Sequence, residues 1–407
     1  MPGLLEGIRA IDLTREPGFL AGKILGDLGA DVIKLEPPGG DRAGRRGPFL
    51  ADVEDPERSL LWLALNTSKR GITLDLDAPR GQALFRRLAS GADVVLESGA
   101  PGELDERGIG WQALREQNPR LVYCAITPFG RTGPYANHRA HDLVVVAMGG
   151  NAAMTGFADR PPVRCTMPTA YLHAGPEAAA GIAMALYARE ASGRGQLVDV
   201  SMQECQLATL VTAAGQYALS GRLRQRSGAA LGNTREIWKA KDGYVSFGLR
   251  GGPARIPNLV ATVEYMAEAG MAPEWLRKLD WSQYNHNTLT PEEVERLEAA
   301  FGAFFASKTR RELYEAALER RIMLAPCNDA REILEQPQLR HRELFTTVEY
   351  PEFGATVEHP NAFAKSSEAP IGIRRRAPRV GEHNHEVYAE LGLSDGELAA
   401  LAGEGVV

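Results

Sequence analysis

Short apolar runs, each about the length of one strand, recur through the first third of the chain. They are "IRAIDL" at 8–13, "DVIKLE" at 31–36, "ITLDLD" at 72–77, "DVVLES" at 93–98 and "LVYCAIT" at 121–127. Helix formers such as "FLAGKILGDLG" fill the gaps between them. Strands alternating with helices predict an α/β fold with a parallel sheet. The stretch "GPEAAAGIAMALYARE" at 175–190 predicts a helix with Pro176 in its first turn and a stop at "SGRG", after which "QLVDVSM" returns to strand character. From about 206 to 335 the pattern turns helix-rich, with "LVATVEYMAEAG", "TPEEVERLEAAFGAFFA" and "TRRELYEAALERRI" around a β-like "DGYVSFGL". This predicts a second, smaller α+β domain. The tail is mixed and proline-punctuated and ends in a short helical "DGELAALAG".

Composition narrows the class. The chain has 407 residues, 44% of them hydrophobic and 24% charged, enough for a large core and more than one typical domain. No basic flank precedes a long apolar run, and no window of roughly twenty apolar residues occurs, so a cytoplasmic protein with no membrane span is expected. The cysteines Cys124, Cys165, Cys205 and Cys327 form no CxxC pair, which argues against zinc and disulfides and suits a reducing compartment. A net charge of −6 speaks against nucleic acid as the partner and leaves room for a local basic pocket facing an anionic ligand. The phosphate-loop, dinucleotide, zinc-protease and nucleophile-elbow signatures are all missing. His383 and His385 in "GEHNHE" read as surface histidines, so no metal is expected.

Several segments, in order, carry a resemblance: "LEGIRAIDLTREPG", "LGADVIKLEPPGGDRAGRRGPF", "NTSKRGITLDL", "VVLESGAPGELDERGIG", "ITPFGRTGPYA", "AHDLVVVAMGG", "MTGFADRPPVR", "RGQLVDVSMQE" and "RAPRVGEHN". Together they resemble the family III CoA-transferases (the CaiB/BaiF family), in the branch containing the benzylsuccinate CoA-transferase subunits. The resemblance implies a Rossmann-like large domain made from both chain ends, 1–205 and 336–407, with linkers and a small domain over 206–335. It also implies a dimer of two chains threaded as interlocked rings, coenzyme A or an acyl-CoA as substrate, and a small carboxylic acid as acceptor. In that family an aspartate attacks the donor thioester, passes through an acyl anhydride and an enzyme-CoA thioester, and hands CoA to the acceptor carboxylate.

Aligned on "PP" at 161–162 and on "LHAG" with its Ala-rich helix, that aspartate's position holds Tyr171. A phenol, with its ordinary pKa of about 10, yields a less activated ester and does not replace a carboxylate in the exchange cycle. Three groups remain as substitutes. Glu16 in "LTREPG" falls where relatives carry a glutamine near the acyl group. His141 in "AHDLVVV" matches the histidine base of the family's racemases. Glu177 lies six residues into the helix, roughly 240° around its axis, and would point away. For CoA, Arg139 sits where the family places a phosphate-facing cation, and Arg42, Lys69, Arg70 and Arg107 lie in the loops that line the nucleotide channel. Gly251 and Gly252 in "GLRGGPARIP" resemble the glycine loop that covers the acyl site.

Three functional readings follow. The chain is the subunit of a heteromeric CoA-transferase that lacks the nucleophile, or a self-sufficient homodimeric acyl-CoA enzyme working without a covalent route or through His141, or a non-catalytic acyl-CoA-binding protein.

Overall fold

The computed structural model describes residues 2–407. Its contacts divide the chain into two compact units, one of Met1–Ala152, Arg164–Arg222 and Pro337–Val407, the other of Ala153–Val163 and Leu223–Gln336. The segments 153–163 and 206–222 therefore fall on the opposite sides from the 1–205 and 206–335 division expected from the sequence.

The large unit is built on six strands: β1 (Arg9–Leu13), β2 (Asp31–Glu36), β3 (Lys69–Thr73), β4 (Val94–Glu97), β5 (Val122–Thr127) and β6 (Leu197–Ser201). All pairings are parallel, in the order β3-β2-β1-β4-β5-β6. This is the doubly wound order in which a crevice opens where the sequence of strands reverses, between β1 and β4. The inner strands are buried on both faces, which explains their near-continuous apolar runs. One face packs α3 (Pro79–Ser90), α5 (Trp111–Gln117), α17 (Asn384–Glu390) and α18 (Asp395–Gly403); the other packs α1 (Phe19–Asp27), α6 (Asp142–Met148) and α8 (Thr169–Ser192).

Two elements depart from the sequence expectation. The strand expected over 72–77 runs from Lys69 to Thr73, in register with Val32 to Glu36. Its two leading cations hid it, because they are buried against partners far away in sequence. The helix expected near Gly175 starts at Thr169, which puts Pro176 in its interior. Its first turn has no local side-chain cap; the Asp142 carboxylate accepts from the Ala170 amide at 2.9 Å instead.

The returning tail seals the outer edge of the sheet. The Gly71 amide donates to His383 Nδ1 at 3.0 Å, the Thr73 amide to Asn384 Oδ1 at 2.8 Å, and the Tyr388 hydroxyl to the Thr73 carbonyl at 2.6 Å. A hairpin of β12 (Phe345–Tyr350) and β13 (Ala355–Pro360), absent from the sequence reading, precedes this tail.

Three charges lie inside the sheet. Asp12 accepts from Lys69 Nζ at 2.8 Å and has Lys34 Nζ at 3.9 Å, and all three side chains are fully buried. Lys69 also donates to the Phe19 carbonyl and to Asn66 Oδ1, each at 2.8 Å. Gly22 on α1 makes room for the cluster, since a Cβ there would stand 2.1 Å from Asp12 Oδ2. Gly175 does the same between helices, where a Cβ would meet Leu20 Cβ at 2.8 Å.

In the small unit, β9 (Ile237–Ala240), β10 (Gly243–Phe247) and β11 (Leu324–Pro326) form an antiparallel sheet. Trp238, Phe247, Phe301, Phe304 and Phe305 form its core, with α11 (Ile256–Glu268), α13 (Pro291–Ala306) and α14 (Arg310–Arg320) packed around it. Capping boxes at Thr290/Glu293 and Thr309/Glu312 start α13 and α14 at the positions their sequence motifs indicate.

Candidate functional site

A cavity of about 740 Å³ opens at the carboxyl ends of β1, β2 and β4 and just past β3, at the reversal point of the sheet. Arg15, Glu16, Arg42, Arg46, Glu97, Glu103 and Arg107 all line it. Three of these, Glu16, Arg42 and Arg107, are among the candidates read from the sequence. A larger cavity of about 840 Å³ lies in the small unit between β9 and α13, where Arg235 pairs with Glu298. It contains none of the candidates.

Each lining residue is placed by a strand-end loop. Glu16 opens a single helical turn after β1, and its largely buried carboxylate pairs with Arg46. Arg42 begins the turn Arg42–Arg45, which is capped by Asp41, whose carboxylate accepts from the Ala43 amide at 2.8 Å. The Asp41 amide in turn donates to Glu36 Oε2 at 2.9 Å, so the end of β2 anchors the loop that carries Arg42. Arg107 follows α4 (Glu103–Glu106) and reaches Asp77 at 2.8 Å and Glu103 at 3.2 Å. Arg15, Arg46, Glu97 and Glu103 were missed, although Arg15 sits beside Glu16 in a loop already singled out.

The remaining candidates lie away from this cavity. Lys69 and Arg70 do not face the cavity. Lys69 is consumed by Asp12, and Arg70 binds Asp31 at 2.6 Å and Glu386 and Glu390 at 2.7 and 2.6 Å, tying β3 to α17. Arg139 and His141 are exposed on and just after the loop leading into α6, and neither lines the cavity. Gly251 and Gly252 belong to the small unit. There the Gly251 amide donates to His286 Nδ1 at 3.1 Å, and Gly252 adopts a φ of 104°, a backbone that favours glycine. Glu177 is exposed on α8.

Tyr171 stands in the first turn of α8, and its hydroxyl accepts from the Asp142 amide at 3.1 Å. Asp142 thus ties α6 to α8 twice, through this amide and through the carboxylate that caps Ala170. Burial raises the phenol's pKa above its ordinary value; the Asp142 amide opposes the rise and the Glu16 carboxylate adds to it. The group therefore stays protonated at neutral pH, with one O–H to donate and no phenolate to attack.

Two buried carboxyls sit at the strand ends here: Glu97 lines the cavity, and Glu36 lies between the lining residues Leu35 and Pro37. Burial pushes Glu36 up to about 7 against the pull of Lys34, and pushes Glu97 up to about 7 against the Gly99 amide and Arg131. Glu103 goes the other way. Partial burial works against ionisation there, but the Ala100 amide and the Arg15 and Arg107 guanidiniums outweigh it and hold the carboxylate below its ordinary value. Among the described residues Glu36 Oε1 has no hydrogen-bond partner, which makes this group a clean test of the penalty. Between pH 4.5 and 7 the unfolded chain releases the Glu36 proton while the folded chain keeps it, so this group lowers stability as pH rises. Glu36→Gln removes that loss. Its stability relative to wild type is expected to be about 2 kcal/mol more favourable at pH 8 than at pH 5 in urea unfolding, and an unchanged difference would contradict the burial penalty.

A family model described as CoA-transferase family III matches residues 5–384. The chain belongs to this family. Among curated relatives it is 35% identical to a succinyl-CoA:(R)-benzylsuccinate CoA-transferase subunit of Thauera aromatica, over 98% of this chain and 97% of that one. It is 33% identical to a succinyl-CoA–D-citramalate CoA-transferase of Chloroflexus aurantiacus, over 100% and 98%. Among solved structures, a CAIB/BAIF family protein from Brucella suis superposes with a TM-score of 0.82 at 29% identity, covering 96% of this chain and 100% of that one. Family III membership agrees with the parallel six-stranded sheet and makes CoA thioesters the substrate class. Among the described residues, no helix is long and apolar enough to cross a membrane.

Proposed function

We propose that this chain is the half of a heteromeric family III CoA-transferase that lacks the nucleophile, with a related partner chain supplying the aspartate. The single observation that carries this reading is Tyr171. At the head of α8, where the family's mechanism needs a carboxylate, this chain presents a neutral phenol held by the Asp142 amide. Two relatives, the benzylsuccinate enzyme and a succinyl-CoA–L-malate CoA-transferase of Chloroflexus aurantiacus at 30% identity, are themselves named as subunits, which supports the heteromeric part. Both names give succinyl-CoA as donor, so the proposed donor is succinyl-CoA and the proposed acceptor a dicarboxylic acid such as benzylsuccinate.

In this reading the cavity at the β1/β4 reversal seats the anionic nucleotide end of CoA, with Arg42, which pairs with no carboxylate among the described residues, as its cation. The O–H of Tyr171 donates to an acyl or thioester oxygen and takes no acyl group. The large unit carries much apolar surface on α8 and on α10 (Val211–Ser220): Met184, Tyr187, Val211 and Leu219 are between 67% and 92% exposed. Surface of that kind suits burial against a second, related chain in the interlocked arrangement.

The test is intact mass of the isolated chain after brief incubation with succinyl-CoA, followed by peptide mapping. No covalent adduct is expected from this chain alone, and transferase activity is expected only with its aspartate-bearing partner. An adduct on Glu16 would overturn the reading in favour of the self-sufficient enzyme, because Glu16 is the carboxylate whose charge bears on Tyr171 from the cavity.

A further inference from the structure

The cavity lining holds more carboxylates than arginines. Glu16, Asp41, Asp75, Asp77, Glu97 and Glu103 stand against Arg15, Arg42, Arg46 and Arg107. Three of the four arginines are already engaged by these acids, and the engagement of two of them converges on one atom. Arg15 Nη2 lies 2.9 Å and Arg107 Nη1 lies 3.2 Å from the same oxygen, Glu103 Oε1. The other oxygen, Oε2, accepts from the Ala100 amide at 3.0 Å. Two guanidiniums and a backbone amide around one anionic group is the arrangement that proteins offer a phosphoryl group. Here the chain's own carboxylate fills it. The neighbouring backbone is shaped to let it in, since a Cβ on Gly99 would stand 2.7 Å from Glu103 Oε2. Asp77, itself mostly exposed, holds the far side of Arg107 at 2.8 Å.

We infer that Glu103 is an internal competitor for the phosphate subsite of this cavity: it occupies the Arg15/Arg107 fork in place of a CoA phosphate and so sets how weakly this chain takes up CoA. The inference rests on the reading of the cavity as the CoA seat. A phosphate entering the fork must displace Glu103 and then sit within a few ångströms of it, and both steps disfavour the complex. Both steps cost less with glutamine, which keeps the size and the acceptor for Ala100 but loses the charge that holds the two guanidiniums and repels phosphate. Asp77 engages only Arg107 from a solvated position, so its removal matters less.

The experiment is calorimetric titration of the full chain with CoA, and separately with adenosine 3′,5′-bisphosphate, for wild type, Glu103→Gln, Asp77→Asn and Arg42→Ala. Glu103→Gln is expected to bind CoA at least tenfold more tightly than wild type, a change of about 1.4 kcal/mol. Its affinity is also expected to fall more steeply with added salt, because two more cations then meet phosphate directly. Asp77→Asn is expected to gain no more than about threefold, and Arg42→Ala to weaken binding in either background. If wild type and Glu103→Gln bind CoA within twofold of each other, with Arg42→Ala still weaker, the competitor role is wrong and the cavity remains the CoA seat. If neither protein binds CoA or the bisphosphate while circular dichroism shows both folded, the competitor role and the seat fall together.

Discussion

Asp12→Asn is expected to be the most damaging single substitution in the large unit, costing about 3–5 kcal/mol of stability. The side chain keeps its shape and its acceptor oxygen for the Thr14 amide and hydroxyl, at 2.8 and 2.5 Å. What is lost is the negative charge that pairs with Lys69 and faces Lys34, two buried ammonium groups. Burial already pulls Lys69 down to about 8, with Asp12 holding it up, so Lys69 is expected to lose its proton in the variant at neutral pH. Burial acts against ionisation of Asp12 too, but the two ammonium groups win and keep its pKa below the ordinary value. Its contribution to stability is therefore present above the ordinary aspartate pKa and is lost as the pH falls below it. The measurement is the urea midpoint at pH 7 for Asp12→Asn, Lys69→Met and the pair. The double variant is expected to cost clearly less than the sum of the singles, because methionine removes the charge that asparagine leaves uncompensated. A loss under about 1 kcal/mol for Asp12→Asn would show that the cluster is not held by charge.

The second large effect concerns chemistry. Tyr171→Asp is expected to turn a chain that takes no label from succinyl-CoA into one that does, with a new mass on the peptide containing residue 171. The new carboxylate would stand in the first turn of α8, where the helix dipole favours an anion, in the space that the phenol ring now fills. Its attack on the thioester carbonyl releases CoA thiolate and leaves a mixed anhydride. Return of the thiolate to the aspartyl carbonyl expels succinate and leaves the enzyme-CoA thioester, so both adducts have predictable masses. Combining Tyr171→Asp with Glu103→Gln is expected to reduce the succinyl-CoA concentration needed for half-labelling at least tenfold. Absence of label in both variants, with CoA binding intact, would mean that the surroundings of Tyr171 have been rebuilt for another role and that loss of the nucleophile is not the change that distinguishes this chain.

Both substitutions test features that differ in how visible they are in one dimension. The proposed replacement at position 171 is legible, since neighbouring segments align without a gap, and so are the strands whose apolar runs reflect burial on both faces. Glu16, Arg42 and Arg107 are legible as loop residues at strand ends, and the fold brings those three to one cavity. The buried cluster is not legible. Lys69 reads as a loop cation lining the nucleotide channel and Lys34 as one polar position in an apolar run, and only the parallel register that sets β2 against both β1 and β3 turns them inward onto Asp12.

The order of apolar runs, the turn residues and the family segments were thus enough to determine an α/β chain of family III and to single out position 171. The sequence alone does so because burial periodicity and local motifs are properties of neighbours along the chain. Which arginines remain open to a ligand was decided by tertiary structure alone. Lys69 and Arg70 are spent on Asp12, Asp31 and the returning tail, Arg15 and Arg107 are turned onto Glu103, and α8 starts seven residues before Pro176 because Asp142 caps it from another helix. Each of these is a pairing between groups distant in sequence. An ionic partner or a borrowed cap depends on a separation in space that no local pattern encodes.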